Sequence, residues 1–293
     1  MTVGAMSLNS CELLENASSS GLSSDEIVEG LKTALVVGTD TSVTVTSAVN
    51  GYFKDEAIQI LLPDEADPIL EVLNNNYVSD ITAAASKLGM TSANVNLQGL
   101  VDNVVLSMNR AAEAAAKQAA PIFKSSITSL SITDGLSILN GANPADTSRK
   151  KAAAFDSTAA TNYLISTTQP QLVSLYSPKI DSVLDIRLSG LSFSTNEAWS
   201  TLISGYSQLV TAAQSMLSAN QALGAFGVLS SSQKTALQKF TPITTTSLGT
   251  YVTDRALDGL FLKVGVQEKS IRKDPWKWIS TTVGNILTKV FGS

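Results

Sequence analysis

Residues 97–116 read LQGLVDNVVLSMNRAAEAAA. Leu97, Leu100, Val101, Val104, Val105, Met108, Ala111, Ala112 and Ala115 recur at the 3.6-residue spacing of a single helix face. The alanine-rich second half predicts close approach by a neighbouring helix, because a methyl side chain lets two backbones come near each other.

The same period appears on both sides of this stretch. Ser23-Ser24-Asp25-Glu26 reads as a capping box opening a helix with Ile27, Leu31, Ala34 and Leu35 on one face and Gly38 placed to end it. Pro121 falls in the first turn of the next helix. Thr133-Asp134 opens a short helix that Asn140-Gly141 closes. Further helices are predicted over about 195–217, 247–273 and Pro275 to Phe291, with a loop over 218–234. Residues 41–49 are ambiguous: their β-branched side chains favour a strand, yet no hairpin signal adjoins them. Ile58, Ile60 and Leu62 precede Pro63 and read as extended. The expected fold is all-α, a single multi-helix domain over residues 23–293, with at most one short extended pair near residues 43–62. No Pro/Gly linker divides the chain and no fixed-period repeat appears.

Composition narrows the chemistry. The 293 residues contain no histidine and one cysteine. That removes Ser-His-Asp and Cys-His catalysis, histidine metal ligands, an internal disulfide and a thiolate zinc cage. Carboxylates are left as the plausible acid–base groups, and no cofactor is indicated. Net charge is −5, with no concentrated basic surface of the kind nucleic acid requires. Charged residues make up 15%, against roughly 25% in average soluble proteins, and Ala, Ser and Thr take their place. No stretch approaches the ~18 apolar residues of a spanning helix.

The single cysteine sits in Leu8-Asn9-Ser10-Cys11, which looks like a bacterial lipobox. Val3, Gly4, Ala5 and Met6 before it resemble the end of a signal-peptide apolar region. No basic region precedes them, which leaves two readings: a start upstream of Met1, or a chance match. Residues 15–21 form a polar tether. Residues 1–22 are accordingly read as signal-peptide remnant, lipobox and tether, with a membrane as partner through a lipid on Cys11. Stable anchoring takes at least two acyl chains, which lipoprotein processing supplies.

Two blocks carry a family resemblance. One is Met108-Asn109-Arg110-Ala111-Ala112-Glu113 followed by Pro121-Ile122-Phe123. The other is Ala256-Leu257-Asp258-Gly259-Leu260-Phe261, Glu268, Ile271-Arg272-Lys273-Asp274-Pro275 and Lys289-Val290-Phe291-Gly292. Smaller matches are Gly30-Leu31-Lys32, Asn50-Gly51-Tyr52-Phe53, Leu62-Pro63, Asp134 with Ile138-Leu139, and Ala159-Ala160-Thr161 with Tyr163. From about residue 24 onward the chain resembles the bacterial domain-of-unknown-function family 4197. The resemblance implies a mostly helical envelope protein, secreted or lipid-anchored and facing the periplasm or exterior, and it implies no activity. The chain departs from the pattern by extra residues around 70–95 and 190–245.

The polar residues of those blocks form the candidate site. Asn109, Arg110 and Glu113 lie at i,i+3 and i,i+4 spacings on one helix. Glu268 and Arg272 are i,i+4 in the favourable order, and Asp258 lies ten residues before Glu268 on roughly the same face. If the two helices pack together, these six residues make one partly buried charged cluster. A carboxylate pair for acid–base work, or an oxygen-ligand cation site, is one reading. An ion-pair and hydrogen-bond network holding helices in register is the other, and it is preferred because neither a nucleophile nor a substrate cleft is identifiable. The C-terminal end is locally basic, with Lys263, Lys269, Lys273, Lys277 and Lys289, and apolar, with Trp276, Trp278, Ile279, Val283, Ile286, Leu287, Val290 and Phe291. It reads either as an amphipathic helix on a membrane or partner, or as a terminal helix docked on the domain. The expected function is a lipid-anchored, non-enzymatic binding or scaffolding module of the bacterial envelope. The rivals are an envelope hydrolase using the carboxylates and an apolar-ligand carrier with a cavity lined by Val104, Met108 and Phe261.

Overall fold

A computed structural model describes residues 23–90, 95–146, 155–187, 192–243 and 248–273. Cys11 with its lipobox and the tract from Pro275 to Phe291 lie outside these residues. The described chain is all-α. Its ten α-helices are α1 (Ser24–Ser47), α2 (Asp67–Asn74), α3 (Tyr77–Leu88), α4 (Leu97–Ala116), α5 (Ala119–Thr128), α6 (Ile132–Leu139), α7 (Ala159–Leu184), α8 (Thr195–Ala222), α9 (Ser231–Gln238) and α10 (Leu248–Lys273). The one β-type pairing among the described residues is an isolated antiparallel bridge between Arg187 and Ser194.

Two compact units result. One comprises Met1–Gln59, Ala112–Lys179 and Thr253–Ser293, the other Ile60–Ala111 and Ile180–Val252. Three of the divisions fall inside α4, α7 and α10. In the first unit α1 packs along α5 and α6. Gly135 of α6 permits this approach, because a Cβ there would stand 2.6 Å from Cγ1 of Val28. In the second unit α3 packs against α8 and α9, and α2 against α3. Here α2 and α3 bury Ile69, Val72, Ile81 and Ala84.

The extended pair near residues 43–62 does not form. Residues 41–47 continue α1, and Gly38 lies within that helix instead of ending it. Burial overrides β-propensity here: Thr39, Ser42, Val43 and Thr46 face the core. The hydroxyls of Thr39, Ser42 and Thr46 donate to carbonyls four residues back at 2.7–2.8 Å, so no polar atom of theirs is left unpaired. Gly38 packs close to Ile271: a Cβ there would make an ordinary contact with its Cδ1 at 3.4 Å. The expected loop over 218–234 is shorter. α8 runs to Ala222 and a capping box at Ser230 with Gln233 opens α9. Proline does not break α7, although Pro170 and Pro178 lie inside it. Both are exposed, as are Ser166 and Ser174 four residues earlier, so the carbonyls deprived of a donor face the solvent side.

Candidate functional site

Asn109, Glu113, Glu268 and Arg272 each bind backbone groups within their own unit. Asn109 of α4 is fully buried. Its Oδ1 accepts from the Ile60 N–H at 2.9 Å and its Nδ2 donates to the Ile60 carbonyl at 2.8 Å. An amide side chain thus supplies both bonds that a neighbouring strand would give to the extended segment Ile60–Leu62. Nδ2 also donates to Val105 O at 2.7 Å. Tyr251 completes the fixation by donating its hydroxyl hydrogen to Leu61 O at 3.0 Å.

Glu113 holds the turn after α1. Its Oε1 accepts from the N–H groups of Tyr52 and Phe53 at 3.2 and 3.3 Å. The turn needs Gly51, because a Cβ there would stand 2.3 Å from Val45 O, and Asn50 takes a positive φ of 68° beside it. Tyr52 is buried and donates to Ala256 O of α10 at 2.6 Å. Gly259 leaves space for its ring, since a Cβ would come within 2.8 Å of Cε1. Burial, then neighbouring Tyr176, then the Glu113 carboxylate push the Tyr52 phenol well above its ordinary pKa, with a hydrogen bond between it and Thr46 opposing. Lys263 of α10 pairs with Asp55 and fixes the far end of the same turn.

Glu268 and Arg272 pair directly on α10. Arg272 Nη2 lies 2.8 Å and Nε 3.0 Å from Glu268 Oε1. The same carboxylate accepts from Ala160 N at 3.0 Å, Thr161 N at 2.8 Å and the Thr161 hydroxyl at 2.7 Å. A negative charge therefore stands at the N-terminus of α7, where unpaired N–H groups and the helix dipole favour it. Arg272 Nη2 donates to Ile138 O at 3.0 Å, placing a positive charge at the C-terminal end of α6. The Phe155 ring lies 5.6 Å from the guanidinium carbon. Beside the pair, Leu31, Ala34, Leu35 and Ile271 border a space of about 20 Å³, the size of one water.

Asp258 is exposed and stands 3.7 Å from Arg255, an i,i+3 surface pair of small worth. Arg110 is half-buried on α4. Val104 and Met108 are fully buried, while Phe261 sits edge-on to Phe123 with centroids 5.7 Å apart.

No local sequence pattern marks Tyr52, Thr161, Ile138 or Leu139 for a role. Each lies in a stretch that meets one of the charged residues. Asn50–Phe53 meets Glu113, Ala160-Thr161 meets Glu268, and Ile138-Leu139 meets Arg272. Two open grooves are also present, and Thr161 borders the first of them. One, of about 420 Å³, runs between α7 and α10 and includes Ile165, Asp258, Phe261, Leu262, Val266 and Lys269. The other, of about 740 Å³, runs between α4 and α8 and is lined by uncharged groups such as Asn96, Asn103, Ser200, Ser204 and Gln208.

Fold and ties together define an all-α protein whose most distinctive buried polar residues hold helix ends and turns. The chain belongs to the family described as a protein of unknown function, DUF4197, whose model matches residues 21–292. Comparison with curated proteins produced no match, and comparison with solved structures produced none. No described helix is long and apolar enough to cross a membrane, and no described group of three or more Asp, Glu or Cys is placed to hold a metal ion.

Proposed function

We propose that this protein is a lipid-anchored, non-enzymatic binding or scaffolding module of the bacterial cell envelope. The observation that carries the non-catalytic reading is the commitment of Glu113 and Glu268, 4% and 5% exposed, to backbone N–H groups. A general acid or base needs an oxygen that substrate can reach, and these oxygens close helix ends and a turn instead. The anchoring part rests on Leu8-Asn9-Ser10-Cys11 and the polar tether after it. Binding is then a property of the surface grooves.

Mass spectrometry of the mature protein from bacterial membranes tests the anchor. An N-terminal peptide beginning at an acylated Cys11 is expected; an unmodified N-terminus upstream of Cys11 refutes anchoring. Replacing Glu113 by Gln tests the other part. Lower thermal stability is expected, whereas unchanged stability with loss of a hydrolytic activity would establish the enzyme reading.

A further inference from the structure

One stripe of α10 is ordered by charge. Asp254, Asp258, Leu262, Gly265, Lys269 and Lys273 follow one another at intervals of 4, 4, 3, 4 and 4 residues. At about 100° per residue, all six lie within an arc of about 100°. Both acids, Leu262 and both lysines are exposed. The middle of the stripe borders the groove of about 420 Å³, where Leu262 and Val266 are 45% and 50% exposed and Ile165 of α7 lies alongside. Asp258 pairs with Arg255 at 3.7 Å, whereas Asp254, Lys269 and Lys273 have no ion-pair partner among the described residues. We propose that a second copy of this chain docks on this face, its α10 antiparallel to the first about a two-fold axis between Lys263 and Val264. This inference does not depend on the lipid anchor.

The stripe is its own complement, and that singles out the occupant. Asp254 with Lys273, Asp258 with Lys269, and Leu262 with Gly265 are three pairs centred on the same point of the sequence. A two-fold axis through that point sets each acid of one copy against a lysine of the other, and each Leu262 over the other copy's Gly265. Parallel copies would instead set acid against acid and lysine against lysine. Gly265 presents no side chain to the incoming Leu262, and a Cβ there would find its nearest neighbour, Thr161, only at 3.7 Å, so the space above it is open groove. Arg255 and Arg272 are held by their own acids, Asp258 and Glu268. The N-terminal end of the stripe therefore keeps a net negative charge and the C-terminal end a net positive one. From Asp254 to Lys273 the stripe is about 29 Å long. A contact of that length stays near the ~1,000 Å² lower bound of specific interfaces, which fits a reversible dimer of micromolar strength.

The test is analytical ultracentrifugation of the full chain with Cys11→Ser, which leaves no thiol to join copies. A reversible dimer with a dissociation constant of about 10–100 µM is expected. Asp258→Lys alone and Lys269→Asp alone are each expected to weaken it at least about tenfold, because like charges then face each other at two places. The swap of both in one chain is expected to return it to within about threefold of the parent, since each facing pair is opposite again. Both side chains are exposed, and a variant that failed to fold could not be restored by the second change. A parent that stays monomeric up to about 1 mM overturns the proposal. Dimers that the single changes leave equally tight overturn it in favour of an interface elsewhere. Dimers weakened by the single changes and not restored by the swap overturn the antiparallel pairing. Monomers that sediment with phosphatidylglycerol vesicles, and cease to with Lys269→Asp, overturn it in favour of a membrane surface.

Discussion

Glu268 and Arg272 stand one turn apart on α10, and together they close the ends of two other helices. The carboxylate receives the first N–H groups of α7 and the guanidinium donates to the last carbonyls of α6. Neither charge would be stable alone at this depth, where side-chain exposures are 4% and 13%. The pair converts three separate stretches of sequence into one fixed junction within its unit.

Glu113 does similar work with one charge and a turn. Glu113→Gln keeps an acceptor oxygen but loses the charge, and is expected to cost about 1 kcal/mol. Glu113→Ala leaves the Tyr52 and Phe53 N–H groups without that acceptor and is expected to cost at least about 2 kcal/mol. Urea denaturation of the two variants checks the order.

Asn109 is needed for both faces of its amide. Asn109→Asp keeps an acceptor for the Ile60 N–H but turns a second oxygen toward the Ile60 and Val105 carbonyls. A loss of about 3 kcal/mol is expected. Amide exchange at Ile60 is expected to quicken in step with the fall in stability.

Much of this was legible in the chain, and the misses have physical causes. The complete apolar stripe of 97–116 made α4 plain, and its bounds agree. The i,i+4 spacing of Glu268 and Arg272 was readable because it is local. Their other partners lie more than 100 residues away and are set by packing, which no local pattern encodes. Residues 41–47 misled because intrinsic strand propensity is weak against burial of Ser42, Val43 and Thr46 on a helix face. α7 carries no clean stripe and two internal prolines, so its helicity depends on where those prolines face.

Gly135 gives a test of the close contact between α1 and α6. Gly135→Ala drives a methyl into Val28 and is expected to cost about 1–3 kcal/mol. Combining it with Val28→Ala is expected to cost less than the sum of the single changes, because the two sites share one space. Thermal denaturation of the four proteins of the cycle measures this coupling.

The buried tyrosines predict an alkaline limit. Burial raises the phenols of Tyr52 and Tyr176 above the ordinary range and lifts Tyr206 to about 12. The unfolded chain ionises tyrosine near its ordinary value of about 10. Stability is therefore fully present below that value and falls as pH rises through 12, since the unfolded state loses protons first. In a phenolate absorbance titration, part of the signal from the six tyrosines is expected to appear only as helicity is lost. Titration of all six near pH 10 with the helices intact would contradict this.

The role of Glu268 and Arg272 as structural ties follows from their buried backbone partners. It is tested most directly by the stability cycle of Glu268→Gln, Arg272→Met and the double variant in urea. Each single change is expected to cost about 3 kcal/mol, because it strands the other charge in the interior. The double variant is expected to cost less than the sum by at least about 2 kcal/mol. Single variants within about 0.5 kcal/mol of the parent, the range of ordinary surface substitutions, would contradict the account.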